Sequence, residues 1–282
     1  MVQTIIDSLQ KATEANKEDS FRHGNLIKLP AKGKLVITGD LHGHRRNFER
    51  IKTFANLEND PETHVLLQEI IHGGPQNAQG GCLSYKLLFD VAAYKLQFPH
   101  RVHIIMGNHD LAFIYDNEVV KNGKEMNRSI RAALDYEFRR DSGDIVKAIN
   151  RFLFSQPLAV RCENRIWLSH SLPANRFADQ FDMGIFNRPL KQTDAVRPGS
   201  AYLLIWGRKH SQQLLDKMAE LLDADIFILG HQAQSEGWSQ AGENLLIIAS
   251  DHNHGCLLPI DLSVSYTIDQ LIELIQPLTA IA

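Results

Sequence analysis

What most limits the fold of this chain is a repeated pattern, a short apolar run that ends in Gly, Asp, Glu, Asn or His. KLVITGD (34–40), HVLLQE (64–69), RVHIIMGNHD (101–110), RIWLSH (165–170), DIFILGH (225–231) and LLIIASDHNHG (245–255) share this form. Runs of this length, rich in Val, Ile and Leu and bounded by turn residues, read as buried strands. Between most of them lie stretches with apolar residues at helical spacing, which predict helices over residues 45–57, 82–97, 127–139, 143–154 and 211–222. Strands alternating with helices imply α/β layering.

The two ends of the chain depart from this pattern. Ile5, Ile6, Leu9 and Ala12 fall at helical spacing before the chain turns polar from Asn16 to His23, so residues 1–30 are expected to form a helix and connector. Residues 31–282 are expected to be one domain, since no repeat, low-complexity tract or Pro/Ser-rich linker divides them. Near the C-terminus LLIIAS, GCLLPIDL and VSYTI follow one another with short gaps, which predicts consecutive antiparallel strands and hence a mixed sheet. IDQLIELIQPL then predicts a short helix ended by Pro277.

Composition narrows the class of partner. With 282 residues, 44% apolar and 22% charged, the chain has the balance of a water-soluble globular protein. A net charge of −3 and the lack of a Lys/Arg cluster give no reason to expect a nucleic-acid partner. No apolar run is long enough to span a bilayer and the acidic start lacks the layout of a secretory signal, so no membrane contact and a cytoplasmic location are expected. Cys82, Cys162 and Cys256 are odd in number and widely spaced, which fits free, buried thiols rather than a disulfide framework or zinc knuckle.

The ends of the apolar runs carry Asp40 and His42, Glu69, Asn108 and His109, His170, and His231. In open α/β sheets ligands bind beyond the carboxyl ends of the strands, so these residues are placed to converge. Carboxylate, imidazole and amide donors without a thiolate suit Mn²⁺, Fe or Zn²⁺ in a catalytic role. Even without His109, the six other donors exceed the needs of one ion, whereas a two-metal centre with a bridging carboxylate accounts for them. Each fragment alone reads as a turn, a helix cap or a core histidine; the reading rests on their ordered combination.

GDLHG, then GNHD, then an apolar strand ending in His170, then GHQ, resembles the calcineurin-like metallophosphoesterase superfamily over roughly residues 33 to 261. GHQ followed by Ala233 rather than a second histidine is similar to its phosphoprotein phosphatase branch, which also includes bacterial diadenosine tetraphosphatases. The resemblance implies a four-layer α/β/β/α sandwich with mixed β-sheets and a dinuclear site at the strand ends. It implies that Asp40 and His42 bind one divalent ion, that Asn108, His170 and His231 bind the other, and that Glu69 stands where the bridging Asp belongs. His109 matches the general acid that protonates the leaving oxygen, and the substrate implied is a phosphorylated protein, nucleotide or small molecule.

The family's second motif, GDxxDRG, reads here Gln68-Glu69-Ile70-Ile71-His72-Gly73-Gly74. His72 replaces the Asp that supports the catalytic histidine, which leaves that role to Asp110 or another group. Gly73 replaces an Arg that grips phosphate. Arg208 lies near another arginine position of the family, and Arg45 and Arg46 are further candidates. His252 and His254 are candidates to line the pocket, while Trp206 and Trp238 read as core or rim. The function expected is metal-dependent hydrolysis of phosphate esters, first as a serine/threonine phosphatase. The alternatives are a diadenosine-polyphosphate hydrolase and a catalytically weakened metal-binding interaction module, the latter favoured by the altered second motif.

Overall fold

The computed structural model describes residues 2–281 apart from 118 and 122. The strands are β1 (Arg22–His23), β2 (Leu26–Leu29), β3 (Lys34–Asp40), β4 (Thr63–Gln68), β5 (Val102–Ile105), β6 (Val120–Lys121) and β7 (Lys124–Glu125). They continue with β8 (Ala159–Cys162), β9 (Ile166–Ser169), β10 (Ile226–Leu229), β11 (Trp238–Ala241), β12 (Leu245–Ile248), β13 (Cys256–Asp261) and β14 (Gln276–Pro277). The α-helices are α1 (Val2–Lys17), α2 (Arg45–Ala55), α3 (Tyr85–Gln97), α4 (Asn108–Ile114), α5 (Met126–Phe138), α6 (Ser142–Phe154), α7 (Ser200–Trp206), α8 (Gln212–Leu222) and α9 (Ile268–Leu274).

Two mixed sheets form the centre, ordered β1-β2-β8-β9-β10-β12-β11 and β14-β13-β3-β4-β5, beside a small β6-β7 ribbon. Side chains of a strand alternate between its two faces. Leu35, Ile37, Leu66, Ile166, Leu168, Ile226, Ile228, Leu246 and Ile248 therefore pack between the sheets. Val36, Val65 and Leu67 face outward onto residues of α1, α2, α3 and α6. Trp167, Phe227, Leu229, Leu245 and Ile247 face the other way, onto α7 and α8. One period-2 pattern thus feeds three apolar layers, and the four-layer α/β/β/α sandwich follows.

The predicted helices form, with ends shifted by up to three residues at 82–97, where α3 starts at Tyr85. The C-terminal expectation needs correction. β12 and β13 do not pair: β12 lies parallel to β10 and antiparallel to β11, whereas β13 lies antiparallel to β3 in the other sheet. VSYTI is no strand; Tyr266 turns its hydroxyl back to accept from the Asp261 amide at 2.9 Å, and Thr267 caps α9. That helix ends at Leu274, and Pro277 sits in β14 rather than acting as the stop. α7, β1, β2, β6, β7, β8 and β11 had no counterpart in the sequence reading, and α4 only the helix-cap reading of GNHD.

The first thirty residues join the main body. α1 buries Leu9 and Ala12 in the cluster that covers β3, β4 and β5, and β2 is hydrogen-bonded to β8 in the larger sheet. Among the described residues, no helix is long and apolar enough to cross a membrane. The two sheets meet at the end of β3, where Asp40 bridges to Ala249. A Cβ on Gly39 would stand 1.9 Å from the Ile248 carbonyl oxygen, so only glycine lets the sheets close there.

Candidate metal centre

The C-terminal ends of β3, β4, β5, β9 and β10 carry the residues picked out in the sequence, and the closure of the two sheets brings them together. Asp40, Glu69 and His170 are buried, and their ligand atoms all lie within 4.8 Å of one another. Asn108 Oδ1 lies 2.8 Å from His170 Nε2 and 2.8 Å from His231 Nδ1, and Glu69 Oε2 lies 2.9 Å from the same His170 nitrogen. His42 Nε2 stands 3.8 Å from Asp40 Oδ2.

The turns that aim these groups are unusual. His42, Glu69, His72 and His231 all have positive φ, between 42 and 66°. Non-glycine residues in that region carry local strain and collect at functional sites. At Glu69 the left-handed turn lets its carbonyl accept from the amides of Leu41 and His42, at 3.1 and 2.8 Å, which fastens the β3 and β4 loops to each other. Its carboxylate accepts the His109 amide at 3.1 Å. A Cβ on Gly107 would meet that carboxylate at 2.7 Å, so the glycine of GNHD makes room for the glutamate.

Hydrogen bonds around the cluster set the imidazole tautomers. The ring N–H at His42 Nδ1 donates to the Ile71 carbonyl at 3.1 Å, which leaves Nε2 as a lone pair facing Asp40. The Gln68 amide N–H donates to the Thr38 carbonyl at 2.9 Å, so its oxygen is the end that accepts from His170 Nδ1, also at 2.9 Å. His170 then presents Nε2 to Glu69 and Asn108. The sequence reading passed over Gln68; its signal is a polar residue closing the otherwise apolar run VLLQ. Replacing Gln68 by Leu, of similar size but without an acceptor, is expected to weaken Mn²⁺ binding about 10- to 100-fold in a folded protein, read by calorimetric titration.

The electrostatics call for a cation. Burial lowers the proton affinity of His170, yet the charges of Glu69 and Asp40 outweigh it and hold its pKa above the ordinary value. Burial, then His170, then Arg208 push His231 well below it. The Glu69 carboxylate, the Asn108 amide oxygen and the His170 and His231 ring nitrogens, with contacts of 2.8–2.9 Å, have the spacing of neighbouring ligands on an octahedral ion, whose bonds of about 2.1 Å put them about 3 Å apart. The residues present fit a divalent metal ion.

The expected catalytic residues are arranged less simply. His109 is half-buried, its ring 5.2 Å from that of His42 and 4.9 Å from that of His72. His72 thus packs against His109. Asp110 accepts the Gly107 amide on its Oδ2 at 3.0 Å in the first turn of α4, and burial followed by the charge of Glu69 raises its pKa. The carboxylate expected to orient His109 is thus engaged as a helix cap. Arg208 is exposed on the loop after α7, near enough for its charge to act on His231. Arg45 is paired with Asp90 at 2.6 Å, and Arg46 is exposed. The His252 ring N–H at Nε2 donates to the Gln234 carbonyl at 2.8 Å, and His254 is exposed.

The sequence matches the calcineurin-like phosphoesterase family over residues 33–235, and the chain belongs to that family. The family implies divalent metal ions, in keeping with the buried Asp40, Glu69 and His170 group. Among named relatives, the serine/threonine-protein phosphatase C23G10.1 of Caenorhabditis elegans is 22% identical over 236 residues, covering 77% of this chain and 47% of that protein. The probable serine/threonine-protein phosphatase ECU05_0440 of Encephalitozoon cuniculi is 22% identical over 250 residues, covering 82% and 50%. The chain spans about half the length of these relatives. A protein serine/threonine phosphatase from Saccharomyces cerevisiae, with similarity to human phosphatase PP5, superposes with a TM-score of 0.70 at 15% identity over 92% of this chain and 82% of that one. A cold-active protein-tyrosine phosphatase of a psychrophilic Shewanella superposes with a TM-score of 0.56 at 13% identity over 84% and 77%. These two likenesses establish the fold.

Proposed function

We propose that the chain is a dinuclear metal-dependent phosphoesterase, first of all a serine/threonine phosphatase of the phosphoprotein phosphatase kind. The observation that carries the reading is the buried convergence of Asp40, Glu69 and His170 from separate strand ends of two sheets. Asp40, His42 and Glu69 would hold one ion, and Glu69, Asn108, His170 and His231 the other. The donor set suits Mn²⁺ first, with Fe or Zn²⁺ as alternatives. When bound, such ions stabilise charge on a transferring phosphoryl group and make water acidic enough to attack near neutral pH.

The remaining chemistry belongs to the chain. His109, its amide fixed on Glu69, protonates the leaving oxygen, and His72 packs beside it in place of a carboxylate. Arg208 supplies positive charge for the ester oxygens now that position 73 is glycine. Two relatives bear the name serine/threonine phosphatase, which supports a phosphoprotein substrate. A cytoplasmic setting agrees with three free, buried cysteines.

A panel of phosphoserine peptide and diadenosine tetraphosphate tests the substrate. The peptide is expected to be cleaved with at least tenfold higher kcat/KM. The reverse order would move the dinucleotide hydrolase ahead. Tight metal binding with neither substrate cleaved would favour the interaction module, the reading that the His72 and Gly73 replacements favour.

A further inference from the structure

Beside the metal centre lies a small basic cavity of about 90 Å³, lined by Arg176, Phe177, Arg197, Tyr202, Trp206 and Gly207 among others. The segment that leaves His170 and the one that follows α7 are tied together at its base: the Ser171 hydroxyl donates to the Gly207 carbonyl at 2.7 Å and the Ser171 amide to the Leu204 carbonyl at 3.0 Å. Trp206 is shared by cavity and centre. Its ring stands 6.2 Å from that of His231 and stacks on Tyr202, at 5.6 Å.

Two guanidinium groups rest on a single ring here, Arg176 at 4.7 Å and Arg197 at 4.3 Å from the centroid of Phe177. Stacking of this kind fixes the plane of each fork while leaving its N–H groups open. The acids nearby in sequence are already engaged: Asp179 pairs with Lys217, and Asp182 and Asp194 pair with Arg188. Among the described residues, no ion pair to a carboxylate is made by Arg176, Arg197 or Arg208. Residues 171–210 hold six basic and three acidic side chains in a chain whose net charge is −3, so positive charge gathers on this flank. A space of about 90 Å³ has room for about three waters, enough for one oxyanion group.

We propose that this cavity is a subsite for a second anionic group of the substrate, a phosphoryl or carboxylate group carried a short way from the ester that is cleaved. The proposal rests on the phosphoesterase reading and gives it a substrate class. Arginine forks suit both kinds of oxyanion. They would hold this second group on the His231 side of the centre, apart from the ester oxygens at the ions.

The test compares wild type with Arg176→Ala/Arg197→Ala, both residues being exposed and outside the metal centre. Four substrates are used: p-nitrophenyl phosphate and three phosphoserine peptides in which a neighbouring residue is Gln, Glu or a second phosphoserine. Wild type is expected to prefer an anionic neighbour over Gln by at least tenfold in kcat/KM. The double variant is expected to lose that preference while cleaving p-nitrophenyl phosphate within twofold of wild type. The ratio between Glu and phosphoserine peptides tells carboxylate from phosphoryl recognition. Binding of the labelled diphosphopeptide by anisotropy gives a reading that does not need turnover, and at least tenfold weaker binding by the variant is expected. Equal affinity and an unchanged preference would overturn the subsite. Weaker binding by the variant without turnover of any substrate would sustain the subsite and count against the phosphatase reading alone.

Discussion

Glu69→Ala is expected to lower Mn²⁺-dependent hydrolysis of p-nitrophenyl phosphate about a thousandfold, about 4 kcal/mol of transition-state stabilisation. Glu69 is fully buried, its carboxylate 2.9 Å from His170 and 3.1 Å from the His109 amide, so one truncation removes a metal donor and loosens the proposed acid. Glu69→Asp keeps the charge but shortens the stem in a turn shaped for glutamate, and is expected to fall between the two. Steady-state kinetics with metal content measured on the same folded sample decides it. Undiminished turnover in the alanine variant would remove Glu69 from the centre.

The second large effect concerns stability, at the end of the small sheet away from the site. Asp19 pairs with Lys95 at 2.9 Å and His103 at 3.1 Å, all of them buried, and His103 meets His64 at 3.1 Å. Asp19→Ala leaves the buried lysine without its anion and is expected to destabilise the fold by about 3–5 kcal/mol. The network also sets an acid limit. Burial, then His103, press the pKa of His64 from 6.5 to about 3. The native state keeps His64 neutral, while the unfolded chain takes up a proton as pH falls below about 6.5. Its contribution is therefore fully present above that pH and lost on the way down towards 3, amounting to about 2 kcal/mol at pH 5. Burial alone would raise the carboxyl of Asp19, but His103 and Lys95 outweigh it and lower its pKa, so its contribution is lost in the same direction at lower pH. Melting temperature followed from pH 8 to 5 is expected to fall, with a smaller fall in His64→Asn. An equal slope in both would exclude His64.

Much of this was legible because strand side chains alternate. Leu35, Ile37 and Val36 read only as one apolar run, yet their odd and even members enter different layers. The position of every metal-type residue at a strand end was visible for the same reason. What the runs do not encode is which strands share a sheet: β12 and β13 are neighbours in sequence and separate in space, since Gly39 draws β3 against the end of β12 instead. Nor does residue type alone reveal backbone turns. The positive φ of Glu69 and His72 and the two-ended amide of Gln68 depend on contacts between residues distant in the chain.

The most direct test is a titration of Mn²⁺ into metal-free wild-type protein, following bound metal and p-nitrophenyl phosphate turnover together. Two ions per chain are expected, with turnover rising as the second site fills and vanishing when a chelator is added. A folded protein that binds one ion or none, or that binds two and leaves the ester intact, would contradict a dinuclear phosphoesterase.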